Sequence, residues 1–264
     1  MTDMAVLLGE HLDYVFLLFL RVSGLLIGSP VFGRKNVPNI LKIGFCAVLT
    51  VIFLVGSPLP GRYPAYGTLV EYILICLREL LFGAAMGFVL TTMFNITYTA
   101  GTIMDYQIGF SMASIYDLQT NSQTPVSGNL FNLVLLVLFF AYDGHLKLVE
   151  ILFRTLEAVP IGTTAAPSTI LWAAADVMSS SFALAVMLAM PVLAAGILME
   201  IALGAIIKTV PQLNMFVVGI PLKLIVGLLM LGLTLALFVN FTKDIFATTF
   251  DYIGTMFQYL EGTG

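Results

Sequence analysis

The sequence predicts an all-α integral membrane protein, and three observations lead to this fold class. Of the 264 residues, 59% are hydrophobic and only 10% are charged, whereas soluble domains carry about 25% charged residues. The mean hydropathy is +1.03. Long apolar runs recur along the whole chain, and short stretches rich in proline and glycine separate them. This pattern is typical of hydrophobic helices that cross a lipid bilayer and are joined by turns.

The apolar runs predict about six helical elements. Their bounds are 12–29, 43–61, 69–104, 130–142, 177–199 and 224–242. The charge-free part of the third, residues 80–104, is long enough to span a bilayer core of ~30 Å at about 1.5 Å per residue. The fourth continues past Asp143 and Gly144 as a more amphipathic segment, and Pro191 predicts a kink in the fifth. The stretches 31–38 and 208–221 are predicted connectors, since proline punctuates both.

Charge and motifs limit the classes of function. A net charge of −4 with only 11 basic residues argues against nucleic acid as a partner. The sequence has no P-loop, dinucleotide fingerprint, zinc-protease motif or hydrolase motif, so we expect no enzyme, no cofactor and no metal site. Cys46 and Cys76 each lie alone in an apolar run, which predicts buried thiols. Asp143 and His145 flank a glycine at a helix break, so we predict that they satisfy helix-end groups; a proton relay is the alternative.

Small residues recur every four positions on two predicted helices. Gly83 and Gly87 begin such a ridge on the third helix, and Gly196, Glu200 and Gly204 form one on the fifth. Because lipid gives helices no hydrophobic reason to associate, small residues that let backbones approach hold membrane helices together. The spacing fits packing within the chain as well as packing against other subunits. We predict these five residues as subunit-packing positions.

Charged residues also lie in or beside the apolar runs, where a charge at a helix centre costs roughly 2.5–3.5 kcal/mol on insertion. They are Arg21, Arg78, Glu79, Asp176 and Glu200. The positive-inside rule gives no orientation, because a simple serpentine places five basic residues on one side of the membrane and four on the other. We therefore expect the helices to face other proteins more than lipid.

The stretch 105–125 differs from both of its apolar neighbours. It lies in a region without any basic residue, between Arg78 and Lys147. Its first half is apolar and its second half is polar up to Pro125. A loop of about twenty residues is uncommon in a compact chain and is usually functional or disordered. Because residues 108–113 are too apolar for a solvated tether, we predict that they rest inside protein.

A set of short motifs then identifies a family resemblance. The motifs are RVSG at 21–24, SPVF at 29–32, VP at 37–38, ELLFG at 79–83, GF at 87–88, GTIMD at 101–105, QIGFS at 107–111, PV at 125–126, FFAYDGH at 139–145, PIG at 160–162, VPQLNMF at 210–216 and GIPLK at 219–223. Their order and spacing cover nearly the whole chain. Together they resemble the FliR family, the R subunit of the flagellar type III export gate.

The resemblance implies a fold in which residues 1–167 are similar to a FliP-like gate subunit and residues 168–264 to a FliQ-like helical hairpin. One copy would join several FliP-like and FliQ-like subunits in a helical pore complex in the bacterial inner membrane, at the flagellar base. The implied further partners are FlhA-like and FlhB-like export components and unfolded flagellar proteins, which would be the export substrates. The loop at 106–122 would plug the pore, with residues 108–113 as its apolar tip. The implied plug residues are Tyr106, Gln107, Ile108, Gly109, Phe110, Ser111, Met112 and Ala113.

Other functions remain open at this point. The equivalent subunit of a virulence injectisome shares the implied fold and differs in its substrates. A small-solute transporter is a second alternative, because broken apolar helices carry Asp176 and Glu200. Transporters usually show two matching halves, whereas the only internal similarity found in this sequence is the short one between KNVP at 35–38 and KTVP at 208–211. An intramembrane enzyme is the weakest alternative, since no catalytic motif supports it.

Overall fold

Seven α-helices and no strand make up the parts of the chain that the computed structural model describes, which are residues 12–34, 37–56, 64, 66–110, 125–162, 167–210 and 215–260. The helices are α1 (Leu12–Gly28), α2 (Asn39–Gly56), α3 (Leu69–Ile108), α4 (Val126–Ala141), α5 (Gly144–Ala158), α6 (Pro167–Thr209) and α7 (Met215–Leu260). Within these residues, four helices are long and apolar enough to cross a membrane, or up to five if α4 and α5 are one broken span. The prediction of an all-α integral membrane protein is therefore confirmed.

The break between α4 and α5 explains why seven helices are present where about six were predicted. Asp143 adopts the left-handed backbone region, with φ of 56°. Its carbonyl oxygen accepts hydrogen bonds from the backbone N–H groups of Leu146 and Lys147, at 2.9 and 3.1 Å. Its side chain makes no capping hydrogen bond. The prediction that this side chain satisfies a helix end is thus wrong, and the backbone turn itself starts α5.

Helices α6 and α7 are longer than the apolar runs indicate, at 43 and 46 residues. Lys208 lies in the last turn of α6, and Pro191 and Pro221 lie inside α6 and α7. The predicted connector at 208–221 is therefore wrong at both ends. Proline is tolerated inside membrane helices because neighbouring helices and local adjustments satisfy the backbone groups that it frees.

The chain forms two compact units. The first comprises residues 1–93, 143–178 and 247–264, and the second comprises residues 94–142 and 179–246. Each unit has its own aromatic core. In the first, the rings of Phe53 and Phe153 lie 4.1 Å apart; in the second, Phe131 meets Phe238 at 4.9 Å. The predicted division at residues 167 and 168 concerns likeness to two smaller subunits and stays a prediction.

Inside the first unit, α1 packs directly on α3 through glycines. A β-carbon at Gly83 would collide with the backbone oxygen of Arg21, and one at Gly87 would lie 2.7 Å from the α-carbon of Gly28. Thr91 donates a hydrogen bond to the carbonyl oxygen of Gly28. Gly83 and Gly87 thus serve contacts within the chain, which was one of the two interpretations of this ridge.

Candidate functional site

The end of α3 falls inside the predicted plug. Gly109 has φ of +98°, and its N–H donates to the carbonyl oxygen of Asp105 at 3.0 Å. This is a helix-ending glycine, since a residue with a β-carbon rarely adopts such a φ. Tyr106, Gln107 and Ile108 consequently belong to the last turn of α3 rather than to a loop.

The other predicted tip residues lie beyond this turn. Gly109 and Phe110 directly follow the helix. Ser111, Met112 and Ala113 lie outside the residues that the structure describes, as does the remainder of the predicted plug up to residue 122. The plug function of the segment 106–122 stays a prediction.

Asp105 joins the end of α3 to the start of α4. Its carboxylate accepts hydrogen bonds from the Ser127 hydroxyl and from the Ser127 backbone N–H, the latter at 3.2 Å. Both residues are buried. Pro125, the N-cap of α4, supplies no side-chain cap, and the first N–H groups of a helix have no partner within the helix. Asp105 therefore caps α4 from another helix, and its negative charge suits the helix N-terminus.

Further contacts keep α3 and α4 antiparallel and close. A β-carbon at Gly101 would collide with the backbone of Gly128, so the two helices touch there through their main chains. Farther from the connection, the amide of Asn132 donates to the Tyr98 hydroxyl at 2.5 Å. The two ends of the intervening segment are consequently held beside each other.

Gln107 and Ile108 insert between α6 and α7. A β-carbon at Gly196 on α6 would collide with the side chain of Gln107. A β-carbon at Gly227 on α7 would lie 2.7 Å from Cγ1 of Ile108, which is only 2% exposed. The Gln107 Nε2 atom is buried and has no hydrogen-bond partner within the described part of the chain. A cavity of about 10 Å³ adjoins both side chains and reaches Lys223.

One helical turn away, an ion pair joins α6 to α7. Lys223 Nζ lies 2.6 Å from Glu200 Oε1, and both side chains are partly exposed. Glu200 follows Gly196 by four residues on α6, and Lys223 precedes Gly227 by four residues on α7. Glu200 therefore has a partner within its own chain, and nothing lies within 4 Å of a β-carbon placed at Gly204. A subunit-packing role of these residues stays a prediction.

The most deeply buried charges lie in the first unit. Arg21 on α1 and Glu79 on α3 form an ion pair at 2.6 Å, and neither side chain has any exposed surface. The guanidinium carbon also lies 4.6 Å from the centre of the Phe82 ring, a favourable cation–π position. These two embedded charges thus face protein within their own chain, where each neutralises the other. The expectation that the helices face other proteins more than lipid stays a prediction.

Backbone groups in the last turn of α5 and just beyond it complete this cluster. Arg21 Nη1 donates to the carbonyl oxygens of Val159 at 2.8 Å and Thr155 at 3.2 Å. The N–H of Gly162 donates to Glu79 Oε1 at 2.8 Å. Gly162 has φ of +90°, a conformation that glycine allows at little cost and that presents its N–H to the carboxylate. The cluster thus fixes the end of α5 to α1 and α3.

The described residues contain no group of three or more His, Cys, Asp or Glu side chains that could hold a metal ion. Cys46 is buried, as predicted, and Cys76 is half-buried; both are free cysteines.

The partners of Asp105 and Arg21 were missed in the sequence because they lie far along the chain and include backbone groups. The sequence indicated only the charged residues themselves, and it did not indicate what they bind.

Comparison with known proteins places these features in context. A family described as bacterial export proteins, family 1, matches residues 12–249. The chain is 30% identical over 239 residues to the flagellar biosynthetic protein FliR of Bacillus subtilis (strain 168), covering 89% of this chain and 91% of that protein. It is 29% identical over 250 residues to FliR of Escherichia coli (strain K12), covering 94% of each. A shorter match, 29% identical over 188 residues, is to the Yop proteins translocation protein T of Yersinia pestis and covers 70% of this chain and 71% of that protein.

Proposed function

The chain belongs to family 1 of the bacterial export proteins, the FliR family, and on this premise we propose that it is a core subunit of the flagellar type III export gate. In this role it forms part of the pore through which unfolded flagellar proteins cross the inner membrane at the flagellar base. It catalyses no reaction. The observation that carries the proposal is the likeness to FliR proteins over 89% and 94% of the chain.

The proposed partners are the other subunits of the gate. The FliP-like part, residues 1–167, and the FliQ-like part, residues 168–264, pack beside FliP-like and FliQ-like subunits. FlhA-like and FlhB-like export components are further partners. The outward surface of the helices supports this role. Only 17% of the most apolar window of α7 and 22% of that of α2 is buried within the chain, which leaves wide apolar faces for lipid or other subunits.

In this function the segment 106–122 plugs the pore at rest. A gate wide enough for an unfolded chain leaks ions unless apolar groups fill it. Burial of Phe110 and Met112 contributes roughly 1.5–3 kcal/mol each before ordering costs, which is weak enough for a substrate to displace them. The Asp105–Ser127 hydrogen bonds support the proposal, because they hold both ends of the segment at one place.

Two strains test the gate function and the plug separately. In a strain that lacks the gene, we expect loss of filaments and motility, restored by the wild-type chain; normal filaments would contradict the gate function.

Deletion of residues 110–113 leaves the last turn of α3 intact. We expect this variant to assemble with its partners but to raise the ion conductance of the membrane. Wild-type conductance in an assembled complex would contradict the plug alone.

The match to the Yop translocation protein favours one second candidate, the corresponding subunit of a virulence injectisome. The FliR matches are longer, 239 and 250 residues against 188, which favours the flagellar system. The same deletion strain separates the two. Motility that persists while secretion of virulence proteins stops would establish the injectisome function.

A further inference from the structure

We propose that Gln107 and Ile108 are positioning residues that lock the end of α3 between α6 and α7, and that this lock stays closed while substrates pass. The inference rests on the proposed export function. It assigns the first residues of the predicted plug a static role, distinct from that of the residues after Gly109.

Ile108 packs so closely against Gly227 on α7 that no side chain fits at position 227. Ideal β-carbon geometry at Gly227 would place the new atom 2.7 Å from Cγ1, 3.0 Å from Cγ2 and 3.1 Å from Cβ of Ile108. These atoms belong to a β-branched side chain, whose χ1 rotamer is stiff, so they have little freedom to move aside. Position 227 therefore has to be glycine for the isoleucine to remain buried.

Gln107 is held by shape rather than by a polar partner. Its side chain fills the space above Gly196, and its buried Nε2 atom finds no acceptor among the described residues. The adjoining cavity of about 10 Å³ has room for roughly one water molecule, which is a suitable acceptor. Gln107 is thus positioned by its packing against Gly196.

The last turn of α3 is attached to three helices within four residues. Asp105 binds the start of α4, Gln107 contacts α6 and Ile108 contacts α7. Immediately afterwards, Gly109 has a positive φ, and nothing lies within 4 Å of its would-be β-carbon. The contacts with α6 and α7 described here therefore end at Ile108, directly before Gly109.

A disulfide between positions 108 and 227 tests whether the lock opens during export. The Cβ–Cβ separation would be 3.1 Å, slightly under the range of about 3.5–4.5 Å found in disulfides, so a small shift permits the bond. The variant I108C/G227C is made with Cys46 and Cys76 replaced by alanine. Copper phenanthroline and oxygen oxidise the two thiols to the disulfide, mass spectrometry of the peptides quantifies it, and dithiothreitol reverses it.

We expect cells with the crosslinked gate to secrete flagellar proteins at a rate within about twofold of the rate after reduction. A tenfold or larger fall on oxidation, reversed by reduction and absent from both single-cysteine variants, would overturn the proposal, because it would mean that the turn has to leave its seat. Failure of the disulfide to form in the assembled gate would also overturn it, since the two positions would then not be neighbours. Neither result bears on the deletion of residues 110–113, which tests the plug.

A second pair of variants covers the case in which the cysteines disturb folding. Gly227→Ala should displace Ile108 and raise membrane conductance at least about threefold in gates that still assemble. Gly232→Ala on the same helix is the matched control, because nothing lies within 4 Å of its β-carbon. Adding Ile108→Ala removes the γ-carbons that the new methyl group meets, so I108A/G227A should assemble more completely than G227A. If G227A and G232A assembled equally completely and gave equal membrane conductance, the proposed lock would be contradicted.

Discussion

At the scale of single residues, Arg21 and Glu79 are charged side chains with no exposed surface. Both are fully buried, and they bind each other and backbone groups near the end of α5. The Arg21 Nη2 atom is buried without a hydrogen-bond partner among the described residues. Removing one partner of a buried ion pair is strongly destabilising because it leaves an uncompensated charge, whereas replacing both by apolar side chains is often nearly neutral. The cluster therefore makes the two residues depend on each other.

We expect Arg21→Met or Glu79→Met alone to destabilise the protein by about 3–5 kcal/mol. The double variant R21M/E79M should cost much less than the sum of the two single changes, because no buried charge is left over. Thermal unfolding of the purified gate complex measures this, and Arg154→Met is a control, since its ion pair with Glu150 is exposed and worth about 0–1 kcal/mol. Additive losses would show that the two charges act independently.

At the scale of helices, the connection between α3 and α4 depends on a cap from outside the capped helix. Ser127 is the second residue of α4, and the carboxylate that accepts its N–H belongs to α3. Each helix end thus fixes the other: Asp105 stabilises the start of α4, and α4 in turn orients the last turn of α3. This arrangement positions Gln107 and Ile108 for their contacts with α6 and α7.

Asp105→Ala should therefore loosen the first turn of α4, with a loss of about 0.5–2 kcal/mol, the range measured for helix caps. Asp105→Asn should lose less, because the amide oxygen still accepts a hydrogen bond. Hydrogen exchange of the backbone amides at positions 126–129 in the complex measures the effect. Thr102→Ala is a control on the same helix, since its hydroxyl is exposed and bonds only its own helix. Unchanged exchange in Asp105→Ala would rule out the cap.

The same helices show how far the sequence reaches. The start of α3 at Leu69 is confirmed, because proline and glycine precede a long apolar run. Its end is four residues later than predicted, at Ile108, because Gly109 stops the helix through its φ and polar residues such as Asp105 do not. The Gly83 ridge was evident from its spacing, but its partner was not. The spacing of small residues shows which face of one helix allows close packing. A contact also depends on the helix that packs against this face, and the spacing does not identify that helix.

The Arg21–Glu79 pair shows a second limit of the same kind. The two side chains were recognised as charges in apolar runs, yet they lie 58 residues apart in the chain. The remaining partners, the carbonyl oxygens of Thr155 and Val159 and the N–H of Gly162, belong to the backbone. Every residue carries such groups, so no residue type marks them. Only the packed structure shows which of them reach the charges.

For the whole molecule, the open question at each small residue is whether it meets another subunit. Gly83, Gly87 and Gly196 have their close neighbours within the chain. Gly204 does not, since nothing lies within 4 Å of a β-carbon there. It is consequently the position at which packing against other subunits can be tested without disturbing the fold of the chain itself.

We expect Gly204→Leu to leave the expression and helix content of the chain unchanged but to reduce its copurification with FliP-like and FliQ-like subunits at least about tenfold, or roughly 1.4 kcal/mol. The reason is that a leucine side chain prevents the close backbone approach that a glycine ridge allows. Gly44→Leu on α2 serves as control, because its surroundings within the chain are equally open. Full copurification of Gly204→Leu would show that this position faces lipid or water.

The buried guanidinium of Arg21 also has a consequence for biosynthesis. Of the helices that the structure describes, α1 is made first. At that moment its arginine has no counter-charge, since Glu79 follows 58 residues later and the carbonyl oxygen of Val159 follows 138 residues later. An unpaired arginine disfavours insertion by about 2.5–3.5 kcal/mol. We therefore expect the nascent α1 to take its final position only after α3 has been made, and to complete its contacts once the chain has grown past Gly162.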